Sequence, residues 1–345
     1  MGTAEPLTHF SRAYGAPPAR GRIRVHPEDF CVDEVLGFAP AGHGEHVLLR
    51  VRKRGANTEW VARRLAERAG VRTMDVGYAG RKDRAAVATQ WFSVHLPGAR
   101  SPDWAVPPID SVQVLEVRRH DRKLRRGVLR GNRFEIRVRG LDADRSGLEA
   151  RLQQAAARGV PNYFGEQRFG HDGQNLDGAR RMLVEGVRPR ARSLRGLYLS
   201  AARSLLFNRV LALRVDRDLW DRAIGGDVLM LDGTRSIFGI AQVDAEIRRR
   251  VEGMDVHPTG PLWGRGPSPV RGEALRLEQA ALEDRGDWRR GLERAGPKQE
   301  RRSLRLKISE LDWEWAGRDG LRLRFYLPRG GYATSVLREL VDYGQ

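Results

Sequence analysis

Strand-like segments fill the first part of this chain, give way after Pro161 to a helical texture, and return at Leu304. That return constrains the fold more than any other feature. A chain whose two ends share one texture while its middle has another reads as a discontinuous domain with an insertion. In the first part, residues 23–35 read as a strand interrupted near Pro27, and residues 45–51 as a second. Further strands are expected at 74–79, 89–96, 112–117 and 134–138. In the last of these, Phe134, Ile136 and Val138 alternate with Glu135, Arg137 and Arg139, the period of a half-buried strand. Asn57 can cap a helix that runs to about Ala69 and stops at Gly70, with Val61 and Leu65 one turn apart on its apolar face. Residues 148–157 predict another helix, ending at Gly159.

Beyond Pro161, residues 175–215 read as mostly helical. Residues 252–273, rich in Gly and Pro, read as loop, and the charged stretch 281–302 as helix. Residues 304–315 and 321–327 flank a turn at 317–320, which predicts a hairpin, and residues 332–341 predict a closing helix. Strands and helices mix without a βαβ rhythm, so the fold class is α+β. The expected division is 1–157 with 305–345 for the discontinuous domain and 158–304 for the insertion.

Sixty-two basic residues against 44 acidic ones leave a net charge of +18. A field of that sign attracts polyanions, and a phosphate backbone is the usual partner. Only five of the cations are lysine (Lys53, Lys82, Lys123, Lys298 and Lys307); the other 57 (62 minus 5) are arginine. Because an Arg-for-Lys exchange leaves net charge unchanged, the excess reads as coding bias. A lysine that persists then marks a place for a compact ammonium rather than a planar fork; Lys82, beside Asp83, is one. The single cysteine, Cys31, excludes an internal disulfide and a multi-cysteine zinc site, and suits a reducing cytoplasm. No apolar run approaches the ~20 residues of a membrane helix. Met1 to Pro6 lack the basic start and apolar stretch of a signal peptide.

Three stretches could carry chemistry. In Gly77-Tyr78-Ala79-Gly80-Arg81-Lys82-Asp83-Arg84 a carboxylate sits between cations. Such neighbours favour its ionised form, and an ionised carboxylate can serve as a nucleophile. By itself the octapeptide reads first as a surface turn with a local ion pair. Residues 118–139 set ten cations against only Asp121 and Glu135, a density suited to phosphate or, more blandly, to a solvated hairpin. Phe134, in Gly131-Asn132-Arg133-Phe134, could stack on an unstacked base, although its alternation alone favours a core position. Pro161-Asn162-Tyr163-Phe164-Gly165-Glu166-Gln167-Arg168-Phe169-Gly170 offers aromatics, an amide and a guanidinium for base contacts, or a tight aromatic-anchored loop. Metal chemistry has little support: His43 and His46 are followed by no third ligand nearby, and nucleotide-binding glycine loops and Ser/His/Asp cues are lacking.

Taken in order, these segments resemble the TruD family of tRNA pseudouridine synthases. The resemblance rests on Pro27-Glu28-Asp29-Phe30 with Val32 and Glu34, and on Gly44-Glu45-His46. It continues through Gly80-Arg81-Lys82-Asp83 with Ala86, Val87, Thr89, Gln90 and Trp91, then His120 with Lys123 and Leu124, and Gly131-Asn132-Arg133-Phe134. The decapeptide, Leu199-Ser200-Ala201-Ala202-Arg203-Ser204, and Leu327-Pro328 leading to Ala333-Thr334-Ser335 complete it. Between about 212 and 300 the likeness is much weaker.

The resemblance implies a pseudouridine synthase catalytic domain with a mostly antiparallel central sheet, an inserted helix-rich TRUD domain, and tRNA in the cleft between them. It implies Asp83 as the catalytic aspartate, Phe134 as the ring stacked on the target base, and Asn132 and Lys82 in the same site. Phe164, Gln167 and Arg168 are expected to bind substrate. The implied target is the uridine at position 13 of tRNA, flipped out of the stack and attacked at C1′ of the ribose or C6 of the base. The isomerisation needs no cofactor and no metal. A cytoplasmic monomer without membrane contact is expected. The alternative is a non-catalytic RNA-binding protein with the same basic cleft.

Overall fold

Residues 10–98, 101–104 and 111–344 are described by the computed structural model; the first nine residues of the expected entry segment lie outside them. The first chain segment forms β1 (Ala19–Arg22), β2 (Phe30–Leu36), β3 (His46–Arg54), α1 (Thr58–Ala69), β4 (Val76–Tyr78), β5 (Val87–His95), β6 (Val112–His120) and β7 (Leu129–Ala143). The middle forms α2 (Arg145–Arg158), β8 (Val160–Pro161), α3 (Gln174–Leu183), α4 (Arg192–Asp216), β9 (Val228–Leu231), β10 (Ile237–Gly239) and α5 (Ala245–Glu252). It continues through β11 (Val256–Leu262), α6 (Gly272–Ala281), α7 (Gly286–Ala295), β12 (Glu300–Ser303) and β13 (Arg305–Leu306). The chain ends with β14 (Ser309–Trp315), β15 (Gly320–Pro328) and α8 (Ala333–Leu340).

Two compact units result. One comprises residues 19–145, 308–331 and 341–345; the other, residues 1–18, 146–307 and 332–340. Contacts thus assign α2, α8 and residues 10–18 to the same unit as the middle segment, whereas the sequence division groups 1–157 with 305–345.

The first unit is built on a nine-stranded sheet in the order β14-β15-β7-β2-β5-β3-β6, with β1 on β7 and β4 on β5. Only β2 and β5 run parallel, so the sheet is mostly antiparallel, as expected. Helix α1 starts after Asn57, whose backbone is extended but whose side chain makes no capping bond, and ends at left-handed Gly70. Val61 and Leu65 are wholly buried against Val47, Leu49, Phe92 and Val94 of the sheet. Each such side chain contributes about 1.5–3 kcal/mol by leaving water.

The second unit packs α3, α6 and α7 around α4, whose Leu206, Phe207, Val210 and Leu211 are fully buried. It also carries a four-stranded sheet, order β10-β9-β11-β12, and the pair β13-β8. Two expectations change here. The Gly/Pro-rich stretch expected as loop contains β11, and the end of the stretch expected as helix is β12. β11 tolerates Pro258 and Pro261 because it changes neighbours halfway. Residues 256–258 pair with β9 and residues 259–262 with β12, so each proline lies on a half with a single partner. No helix among the described residues is long and apolar enough to cross a membrane.

Candidate active site

One edge of β5 is shared by two strands that meet head-on. β2 runs parallel to it at residues 87–89, and β4 antiparallel at residues 92–94. Between them the backbone N–H of Trp91 donates to Glu34 Oε1 at 3.3 Å. The chain leaves the sheet here, after Tyr78, and returns at Val87. The loop between carries Asp83.

Residues that the loop does not itself contain fasten it. The Gln90 side chain donates to Gly80 O at 3.2 Å and accepts from Thr58 Oγ1 at 2.9 Å, while Thr58 Oγ1 accepts from Lys82 N–H at 2.9 Å. Gly127 N–H donates to Ala79 O at 2.7 Å. The Lys82 ammonium is turned into the protein, onto Glu34 Oε2 at 2.7 Å. Lys53, on β3, donates to the backbone carbonyl of Asp83 at 2.9 Å. Glu34, Lys53, Thr58 and Gln90 are all buried, where a polar group costs least when it is hydrogen-bonded. With its backbone held, Asp83 keeps a carboxylate that is 37% exposed.

That carboxylate pairs with Arg24 Nη2 at 2.9 Å. The Arg24 guanidinium in turn lies 4.3 Å over the Phe30 ring. Phe30 meets Phe134 edge-on at 6.0 Å, and Phe134 stacks on Phe325 at 5.4 Å. Asp83 and Phe134, far apart in sequence, are thus joined by two intermediaries. Arg24 adopts φ +58°, a left-handed backbone that a residue with a Cβ enters at a cost of roughly 1–2 kcal/mol. Strain of that kind is typical of residues placed for function.

Phe134 is 9% exposed. Asn132, two residues earlier on β7, shares its face of the sheet, opposite Glu34 on β2 and Leu327 on β15. The amide oxygen of Asn132 is buried and accepts no hydrogen bond among the described residues, an uncommon state for a buried polar atom. Gly131 is fixed by packing: a Cβ there would lie 2.3 Å from Tyr326 Oη and 2.4 Å from Leu327 O.

The remaining expected site residues belong to the second unit. Phe164 is buried, with Arg302 4.1 Å and Arg168 5.3 Å over its ring. Its N–H donates to Asn208 Oδ1 at 2.9 Å and its carbonyl accepts from Asn208 Nδ2 at 3.0 Å. Arg168 donates to Ser200 Oγ at 3.0 Å and to Tyr332 Oη at 2.7 Å. Gln167 is exposed.

The basic stretch is not a hairpin, because β6 and β7 are separated in the sheet by β2, β5 and β3. Its charge is also partly matched by acids from outside it. Arg133 pairs with Glu310 at 3.0 Å, Arg139 with Asp29 at 2.8 Å and Arg118 with Glu116 at 3.0 Å. Arg24, Lys53 and Thr58 lie outside the site residues expected from sequence. Arg24 and Thr58 carry no sequence signal, whereas Lys53 could have been found as one of the rare lysines.

A family model described as tRNA pseudouridine synthase D (TruD) matches residues 9–187 and 174–340. The tRNA pseudouridine synthase D of Methylococcus capsulatus is 53% identical over 332 residues, covering 96% of this chain and 94% of its own. That of Nitrosococcus oceani is 52% identical, covering 95% and 93%. A solved structure from Methanosarcina mazei, assigned to tRNA pseudouridine synthase D, superposes with a TM-score of 0.73 at 20% identity, covering 97% of this chain and 98% of that one.

Proposed function

The chain belongs to the TruD family of tRNA pseudouridine synthases, and on that premise we propose that Asp83 is the nucleophile with which it converts uridine to pseudouridine in tRNA. It is an isomerase acting on tRNA. The observation that carries the proposal is the contact series Asp83–Arg24–Phe30–Phe134, which ties an accessible carboxylate to an aromatic surface within one unit.

The target uridine is flipped out of the RNA stack, at an unstacking cost of a few kcal/mol. Contact with the exposed part of Phe134 offsets about 1–3 kcal/mol of it. The unpartnered Asn132 oxygen is suited to accept a hydrogen bond from the N3–H of the base. The Asp83 carboxylate then attacks the nucleotide, and the N1–C1′ bond breaks. The uracil turns and joins C1′ through C5, the bond between Asp83 and the nucleotide breaks and frees the carboxylate, C5 loses its proton, and N1 gains one. Every substrate atom is conserved, so the route assigns no cofactor and no metal.

We assign the uridine at position 13 as the target, a cytoplasmic setting and action as a monomer. The unit formed by residues 19–145, 308–331 and 341–345 is the catalytic domain in this reading, and the other is the insertion-bearing unit. Lys82, paired with Glu34, holds the loop and not the RNA. Phe164 and Arg168 support the decapeptide, and the exposed Gln167 is its RNA-facing residue.

The test is to incubate the purified protein with unmodified tRNA transcripts in EDTA and map pseudouridine at base resolution. A single modified uridine at position 13 is the expected result. No pseudouridine in any transcript despite tight binding would overturn the reading.

A further inference from the structure

In a chain that writes arginine for 57 of its 62 cations, Lys53 is fully buried. It lies near the end of β3, opposite Ala88 of β5 and Val112 of β6. Its ammonium donates to main-chain carbonyls from two separate segments. One is Ala56, in the turn before α1, at 2.6 Å; the others are Asp83 at 2.9 Å and, more weakly, Lys82 at 3.5 Å. Burying an ammonium is costly unless it is well hydrogen-bonded. A tetrahedral ammonium spreads three donors over three directions, whereas a guanidinium holds its donors in one plane on a bulkier head. Converging carbonyls deep in a sheet therefore select lysine even where coding bias favours arginine.

We propose that Lys53 is a positioning residue for the reaction: from inside the sheet it fixes the main chain of Asp83, and through it the direction of the carboxylate, without touching RNA. The proposal rests on Asp83 being the nucleophile. It separates two tasks. Arg24 meets the carboxylate from the exposed side, and Lys53 sets the backbone from beneath. A displacement of about 1 Å at a reacting atom can cost on the order of 100-fold in rate.

The experiment compares full-length wild type, Lys53→Met, Lys53→Arg and Asp83→Asn. It measures single-turnover pseudouridine formation at saturating tRNA transcript, tRNA affinity and thermal unfolding. Lys53→Met is expected to fold, to bind tRNA within about twofold of wild type, and to lose roughly 100-fold in rate. Lys53→Arg is expected not to restore it. A folded Lys53→Met with a rate within about threefold of wild type overturns the proposal, as does a loss seen only in affinity. Asp83→Asn keeps the two failures apart. If it is active, the nucleophile reading falls; if it is inactive beside a wild-type-like Lys53→Met, only the Lys53 proposal falls.

Should Lys53→Met not fold, the wild-type pH profile decides. Burial pushes the Lys53 pKa down to about 8, with the Asp83 carboxylate opposing the shift and Lys82 reinforcing it. Arg84, whose Nε donates to Gly55 O at 3.3 Å, adds a charge that does not titrate in this range. A single-turnover rate that falls as pH rises through about 8, at constant tRNA affinity, supports the proposal. A rate that stays level up to about pH 10 overturns it.

Discussion

The Asp83 loop and the aromatic decapeptide have the same appearance in sequence: a short run with two glycines, charge and aromatic character, opening on a small fixed motif. They are built in opposite senses. The loop is fastened by Glu34, Lys53, Thr58 and Gln90, none of which lies within it, and this leaves Asp83 accessible. In the decapeptide, beside the outside residue Asn208, the motif's own side chains do the fastening. Asn162 donates to Ser303 O at 2.9 Å and accepts from Arg302 at 2.6 Å, Tyr163 donates to Ser11 O at 3.1 Å, and Phe164 is buried beneath two guanidiniums. A distinctive motif therefore does not reveal whether its side chains react or hold the fold. The source of the fastening does.

The largest expected effect sharpens this contrast. Asp83→Asn keeps the shape of the side chain and the backbone carbonyl that Lys53 holds, and removes only the nucleophilic charge. Single-turnover pseudouridine formation should fall by on the order of 10⁴-fold or more, with tRNA affinity and melting temperature close to wild type. Retained activity in a clean preparation would remove the reason for treating the loop as reactive.

Asn208→Ala tests the other side. Asn208 is fully buried and bonds both backbone groups of Phe164. Its loss leaves a donor and an acceptor buried and unpaired, at about 2–4 kcal/mol together. Denaturant unfolding should show that loss, while the rate per folded molecule stays within about threefold. Unchanged stability with a collapsed rate would make the decapeptide a site and break the comparison.

Phe134 sits between the two cases, since it belongs to the reaction by proposal and to the core by burial. Phe134→Ala would mix the two, because a buried Phe-to-Ala change costs about 3–5 kcal/mol. Phe134→Leu keeps apolar bulk and removes the π-face. A rate loss of roughly 10- to 100-fold with a folded protein is expected, from about 1–3 kcal/mol of stacking. A wild-type rate would return Phe134 to the core alone.

Much of the first unit was legible because its signals are local. The alternation at 134–138, the helix between Asn57 and Gly70, and the hairpin around 317–320 each stand within a dozen residues. β11 was not, because what licenses its two prolines is a change of partner between β9 and β12 that no window of sequence contains. At the proposed site, Asp83, Asn132 and Phe134 are named by motifs, and the fold brings Asn132 and Phe134 to one face of β7. Lys82 is a neighbour of Asp83 in sequence, yet its ammonium is turned to Glu34, two strands of sequence away. Arg24 escaped because it is one of 57 arginines and its role comes from a left-handed turn. The basic density of residues 118–139 overstates the free charge there, since acids that match part of it, such as Glu310 and Asp29, come from elsewhere in the chain.

The smallest expected effect separates holding the fold from holding the proposed nucleophile at a single residue. The Lys53 pKa is depressed from 10.5 to about 8 in the folded protein. Below about pH 8 the ammonium is charged in both folded and unfolded chains, and the full burial penalty is present. Between about 8 and 10.5 the unfolded chain binds the extra proton, so this group makes folding more favourable as pH rises, by at most about 1.4 kcal/mol per pH unit. Across the same window the neutral amine keeps only two donors for its carbonyls, and the Asp83 backbone loosens. Stability measured against Lys53→Met should therefore climb with pH while the wild-type rate declines. A wild type whose stability and rate fall together above pH 8, with Lys53→Met doing the same, would place the pH sensitivity outside this lysine.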